Sequence, residues 1–361
     1  MIPDEVLGLA VERQVISAEQ AERLRALASE RAAADRAEPV DEERLRFVSG
    51  FGDVFVTIGL GLFIGSLGYF INVAAGLAAM WAGIAVAAWG LAEFFTRVRR
   101  MALPSIVLLV VFAVAAFFAF AHGLGATTNR GWLGSDWALG WLGLNRGRPF
   151  AIAGAALATV AAAALHYWRF RVPITIAAGA AAVAAALLGL SFALAPAFTA
   201  AFINPLLLAC GVSIFAAAMR FDMSDPLRLT RRTDIAFWLH LLAAPLIVHP
   251  IVAGFLGART TLDTPTAVLV LAVFLALGAV AVLVDRRAML VSGLTYAGIA
   301  FGTLIRQAGF DDATLPSTLF ALGAFVLLLS AGWRPLRAAI LRVLPAGLAR
   351  RLPNPSASSL G

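Results

Sequence analysis

Between residues 51 and 333 polar positions are sparse, and the apolar stretches they separate are each about as long as a bilayer crossing. At ~1.5 Å rise per residue, about 20 apolar residues cover the roughly 30 Å of bilayer hydrocarbon. The pattern predicts an all-α fold, a polytopic transmembrane bundle of ten helices. They lie near 51–71, 74–95, 104–124, 150–167, 173–192, 197–219, 234–256, 265–285, 288–307 and 315–333. The fifth and sixth share one long uncharged run, with a turn expected near Pro196; the first and second are joined by a minimal turn expected around Asn72.

Outside this block the pattern changes. Residues 1–48 read as a headpiece of two short helices and a charged connector. In "SAEQAERLRALASERAAADRA", Ser17 and Gln20 have the spacing of a capping box, and Leu24, Leu27 and Ala28 form a narrow apolar stripe. So short a segment buries little core. Residues 37–47 are expected to become a helix running into the membrane. Residues 334–361 open with "RPLRAAILRV", where Pro335 marks a helix start and Arg337 and Arg342 flank Leu336, Ile340 and Leu341. That reads as a basic amphipathic helix drawn to anionic lipid, followed by a disordered tail.

Composition agrees with the pattern: 61% hydrophobic, 14% charged and a mean hydropathy of +0.88 lie far outside the soluble range. A pI near 11.0 suggests nucleic acid as a partner, but the placement of charge excludes it. Residues 1–50 carry seven arginines against eleven acids, and the other arginines sit in short loops between apolar runs. All 28 basic residues are arginine, which together with heavy alanine use suggests a bacterial source. If the N-terminus is cytoplasmic, sixteen loop and C-terminal arginines face the cytoplasm and five face outward. The expectation is a bacterial inner-membrane protein with both termini inside. The lone Cys210 allows no disulfide framework, and the charged first 50 residues lack the apolar core of a cleavable leader.

Under that orientation residues 126–149 form the longest outer loop. It carries "NRGWLGSDWALGWLGLNRGR", in which Trp132, Trp137 and Trp141 read as interfacial anchors, since an indole ring is apolar with one polar N–H.

Soluble-enzyme motifs are absent: no phosphate-cradling glycine loop, no zinc-spaced Cys or His, no nucleophile elbow. No cofactor, metal or catalytic residue is expected, and the chain is read as a non-enzyme. Gly61/Gly65 and Gly298/Gly302 have the spacing of close helix packing. Ionisable groups within spans are the candidates for function, because hydrocarbon penalises them unless they are paired or hydrated. Asp53, Glu93, Asp234 and Asp285 lie near the cytoplasmic ends of spans. Asp53 and Glu93 could share a proton, whereas Glu93 could equally pair with Arg97 one turn on. His240 lies deeper. His122, Asn204, His249 and Arg306 could form an outer polar cluster, with Pro205, Pro245 and Pro250 expected to break their helices. Ten spans with a broken sixth also allow an inverted-repeat carrier, although no internal sequence repeat supports it.

Three function classes stand: a transporter or channel-like carrier of a small solute, with a path touching His249, Asn204 and Tyr296; a non-catalytic scaffold or sensor working through the acidic headpiece; and a lipid-acting membrane enzyme. The sequence leaves open a homo-oligomer or a partner membrane protein.

The headpiece "VERQVISAEQAERLRAL", the connector and "GFGDVFVTIGLGLFIGSLGYF" resemble the start of a family of uncharacterised bacterial multi-span inner-membrane proteins. There a short cytoplasmic helical pair precedes tandem spans. The resemblance covers about the first 100 residues and implies topology and localisation, with no activity attached.

Overall fold

A computed structural model describes residues 4–37, 51–125, 148–225, 230–256, 263–310 and 312–343, and the regular elements among them are helices. The chain divides into a small N-terminal unit and a large helical unit. Trp132, Trp137, Trp141 and the rest of the expected outer loop lie outside the described residues, as does the C-terminal tail.

In the small unit, α1 (Asp4–Glu12) and α2 (Ala18–Ala37) form a helical pair. The capping box is made: the Ser17 amide donates to Gln20 Oε1 at 2.8 Å, and the Gln20 amide donates to Ser17 Oγ at 3.1 Å. Leu7 and Ala21 are buried, whereas Leu24 and Leu27 remain exposed.

In the large unit the order is α3 (Phe51–Ala92), extended by a π-helical turn over Glu93–Val98, then α4 (Ala102–Gly123), α5 (Pro149–Phe170), α6 (Ile174–Leu194) and α7 (Pro196–Ala201). There follow α8 (Ile203–Met223), α9 (Arg231–Leu256), α10 (Thr264–Val284), α11 (Ala288–Gln307) and α12 (Thr314–Val343). Nine helices among the described residues are long and apolar enough to cross a membrane. Their outer faces expose Leu62, Phe63, Phe320 and Leu327, an arrangement that water would not tolerate over so much surface. This is a multi-pass membrane protein.

The first of the nine, 48 residues long, is a hairpin. Gly76 has φ 83° and ψ 177°, a conformation essentially closed to other residues, and the helix reverses there. The two arms pack on each other, so that a Cβ on Gly68 would lie 2.9 Å from Ile84 Cδ1. The turn thus falls four residues beyond the expected Asn72, because Asn-Val-Ala-Ala continues as helix and glycine is the residue that can leave it.

Of the expected helix breaks one forms: the sixth span is interrupted at Phe202, between α7 and α8, two residues before Asn204. Pro205 falls in the first turn of α8, where its missing N–H has no helical partner to lose. The short α7 supplies the turn near Pro196. Helix α9 runs through Pro245 and Pro250, and α12 runs through Pro335. Residues 334–343 therefore prolong the last span rather than beginning a separate surface helix.

Small residues set the closest approaches. A Cβ on Gly211 would stand 2.9 Å from the Leu246 carbonyl carbon, so α8 and α9 touch backbone to backbone. Gly189 meets the Ala153 amide nitrogen at 3.1 Å in the same way, joining α5 to α6. Gly298 and Gly302 pack α11 against Leu322 and Thr318 of α12, as their spacing suggests. Gly61 and Gly65 do not: a Cβ on either would meet no other side chain or neighbouring helix within 4 Å among the described residues. Buried Ile214, Ala218, Ile235 and Leu239 unite α8 with α9, and Phe112, Leu108 and Ala88 unite α4 with the α3 hairpin. Helix α9 is central, packing on α6, α8 and α11.

Candidate functional site

Helix α8 buries one face along Gly211, Ile214, Ala218 and Asp222, a stripe of helical period whose last member is charged. A carboxylate in the final turn of a helix meets the negative end of the helix dipole. On the opposing junction, Arg286 lies between the C-terminus of α10 and the N-terminus of α11. Arg286 Nε donates to Asp222 Oδ2 at 3.1 Å and a terminal guanidinium nitrogen donates to Oδ1, a bidentate pair. That terminal nitrogen also approaches the Thr233 carbonyl at 3.4 Å. His240 Nε2, from α9, lies 2.9 Å from Asp222 Oδ2, and its ring packs against Phe215. The side chains of Asp222, His240 and Arg286 are all 0% exposed.

Adjacent groups extend this centre. Asp285 adopts the left-handed conformation (φ 61°) that ends α10 and turns the chain into α11. Its Oδ1 accepts from Trp333 Nε1 at 2.8 Å, and its Oδ2 lies 3.7 Å from the Arg337 guanidinium. The Arg287 guanidinium stands 5.2 Å from the Trp333 ring centre. Asp225 Oδ2 accepts from the Thr230 amide and hydroxyl and from the Thr233 hydroxyl, tying the end of α8 to the start of α9. One end of the bundle thus gathers Asp222, Asp225, His240, Asp285, Arg286 and Arg337 from three helices and two junctions.

Arg337 corrects the expectation of a lipid-facing basic helix: it is buried against Asp285, while Arg342 remains exposed. The pairing is non-local, so the amphipathic pattern around Pro335 could not show it.

The other candidates separate. Glu93 sits in the π-helical turn and accepts from Arg97 at 2.9 Å and from Arg169 Nε and its neighbouring nitrogen at 2.8 Å each. Two guanidinium groups from α3 and α5 answer its charge, so a proton shared with Asp53 is not needed for that. Asp53 is buried in the first turn of α3. Asp234 is half-buried near the start of α9. At the other end of the bundle, His249 Nδ1 lies 2.5 Å from the Tyr296 hydroxyl, joining α9 to α11. Asn204 stands in the first turn of α8, Arg306 in the last turn of α11 and His122 in the last turn of α4. Among the described residues neither Asn204 nor Arg306 makes a side-chain hydrogen bond to that pair.

His166 was not anticipated; it is buried beside Thr175 Oγ1 at 3.3 Å, within the rings of Phe112, Trp89 and Phe170. Among the described residues no group of three or more His, Cys, Asp or Glu could hold a metal ion.

The class defined is an all-helical multi-pass membrane protein with a buried ionic centre at one end of its bundle. No family model matches the chain, and neither the curated proteins nor the solved structures contain a significant match to it.

Proposed function

We propose that the protein is a proton-responsive carrier of a small solute, gated at the Asp222–His240–Arg286 centre. The observation that carries this reading is the complete burial of three ionisable groups from α8, α9 and the α10–α11 junction. Ionisable groups enclosed among membrane helices mark proton and solute paths, because hydrophobic replacements would hold the helices together without the desolvation penalty. Asp222 and Arg286 sum to zero charge. Any further charge brought to the enclosed centre is uncompensated, which a low-dielectric site disfavours unless helices part and water enters. Proton arrival at one end of the bundle is thereby coupled to separation of α8, α9 and α10–α11.

The rest of the reading follows the arginine distribution. The hairpin in α3 brings the nine long helices to ten crossings, with both termini cytoplasmic and the ionic centre at the cytoplasmic face of a bacterial inner membrane. The likeness of the first 100 residues to a multi-span bacterial family favours the same topology.

A second reading has its own observation: Leu24 and Leu27 stand exposed on a helix that carries acids and arginines in equal number, a surface suited to a protein partner. In that case the membrane unit is a scaffold or sensor and the ionic centre a fixed clamp.

Hydrogen exchange of the purified full-length protein at pH 5.5 and pH 8 separates the two. After correction for the intrinsic pH dependence of amide exchange, the carrier reading expects lower protection at pH 5.5 at the ends of α8 and α9, a loss abolished in His240→Gln. Protection independent of pH, or a loss unchanged by His240→Gln, removes the carrier reading and favours the clamp. Proteoliposomes loaded with a pH-sensitive dye then screen solute classes for proton movement.

A further inference from the structure

Helix α9 packs on both α6 and α8, while α6 and α8 scarcely touch one another. The result is a groove with α9 as its floor, represented by Leu239, and the two other helices as its walls. Its volume is about 510 Å³, within the range of sites that hold small ligands. Ala184 and Leu187 lie on one wall; Cys210, Ser213 and Ala217 lie on the other. Leu187 and Ser213 are exposed, so the groove opens sideways, toward the lipid.

Its direction and depth narrow the occupant. The α8 wall runs from Leu206 to Ala217, roughly 16 Å at the helical rise, which is about the hydrocarbon depth of one bilayer leaflet. Positions 206, 209, 213 and 217 share one helix face, and Arg220 continues that face one turn beyond the end of the groove. Arg220 is exposed, near the end of the span, and makes no ion pair among the described residues. An apolar channel one leaflet deep with an unanswered guanidinium at its mouth has the polarity of a phospholipid. Its planar fork of donors matches the oxygens of a phosphate.

We propose that the groove between α6 and α8 holds one acyl chain of an anionic phospholipid, whose headgroup phosphate accepts hydrogen bonds from Arg220. The lipid replaces helix-to-helix contact that α6 and α8 do not make, and so ties the two halves of the bundle across α9. This site lies on the outer surface of the unit, apart from the ionic centre, and does not depend on the carrier reading.

The test uses delipidated full-length protein in non-ionic detergent, titrated separately with phosphatidylglycerol and with phosphatidylcholine of the same chains. Lipids retained per chain are read by native mass spectrometry, and the thermal midpoint is followed in parallel. The wild-type protein is expected to retain one phosphatidylglycerol about fivefold more tightly than phosphatidylcholine, the preference one arginine at a headgroup supplies. Arg220→Gln should reduce phosphatidylglycerol to the phosphatidylcholine level, while Arg306→Gln, at the other end of the bundle, should not. Ser213→Phe or Ala217→Phe, each on the open face of α8, should fill the groove and lower retention of both lipids; either one that folds suffices. Equal retention of the two lipids by the wild type, a preference that survives Arg220→Gln, or retention unaffected by the filled groove each overturns the proposal. So does a wild-type dimer that retains no lipid and that Ser213→Phe dissociates, which would make a second copy the occupant.

Discussion

Asp222 and Arg286 are both fully buried, and each charge is answered chiefly by the other. Removing one partner leaves a buried charge without an answer, which destabilises by roughly 3–5 kcal/mol; removing both by apolar or neutral groups of similar shape is far milder. Arg286→Met and Asp222→Asn are therefore each expected to lower the thermal midpoint of the purified protein strongly. The double variant should recover much of the loss, with a coupling of about 0.5–3 kcal/mol. Additive losses would mean the bidentate pair carries no mutual stabilisation. The sequence pointed at part of this centre: His240 stands out by its depth in a span, and Asp285 as an ionisable group at the end of one. Asp222 did not, because the sixth span was expected to end at residue 219, leaving the carboxylate in a loop. The buried stripe Gly211–Ile214–Ala218–Asp222 was nevertheless readable as one helix face. Arg97 as a partner of Glu93 follows from four-residue spacing, whereas Arg169 comes from α5 and has no local signal.

At the scale of elements, long apolar runs were legible and their interruptions only in part. Proline was read as a breaker at 205, 245 and 250 and as a helix start at 335, yet only Pro205 lies beside a break, at Phe202, and the others are accommodated inside two helices. Neighbouring helices and tertiary packing hold a membrane helix through a proline, and that support is invisible in the local sequence. Glycine spacing misled in a similar way. Gly61/Gly65 and Gly298/Gly302 share one pattern, but only the second pair meets a neighbouring helix. The glycine that matters most to α8 and α9 stands in no such pattern. Gly211→Val would force its side chain against the Leu246 backbone, which cannot retreat as a flexible side chain can. Its cost is expected to be about 1–3 kcal/mol or more, the range of core overpacking. Gly61→Val, in open space toward lipid, is expected to change little. A Gly211→Val protein with the thermal midpoint of the wild type would show that α8 and α9 can slide apart freely.

For the whole molecule the decisive feature is the hairpin at Gly76. Counted as one long helix, α3 would give nine crossings and place the two termini of the membrane unit on opposite sides of the bilayer. Counted as two arms, it gives ten and returns them to one side. The packing of Gly68 against Ile84 requires the arms to lie antiparallel, and antiparallel arms start and finish on the same side. Arginine placement offers an independent criterion. With ten crossings, the arginines at 97–100, 169–171, 220–232, 286–287 and from 334 onward share a side with the N-terminus, and five are left outside. With nine, each loop after the first arm changes side and the bias reverses relative to the headpiece. Reporter fusions after residues 100, 170, 225 and 345 are accordingly expected to read cytoplasmic, and those after 135 and 260 periplasmic. The fusion after residue 100 is the sharpest of these, because it alone lies directly behind the hairpin. A periplasmic signal there, with alternation intact further on, would make α3 a single crossing. The ionic centre would then face the outside of the cell, where the proton supply of a membrane carrier has the opposite sense.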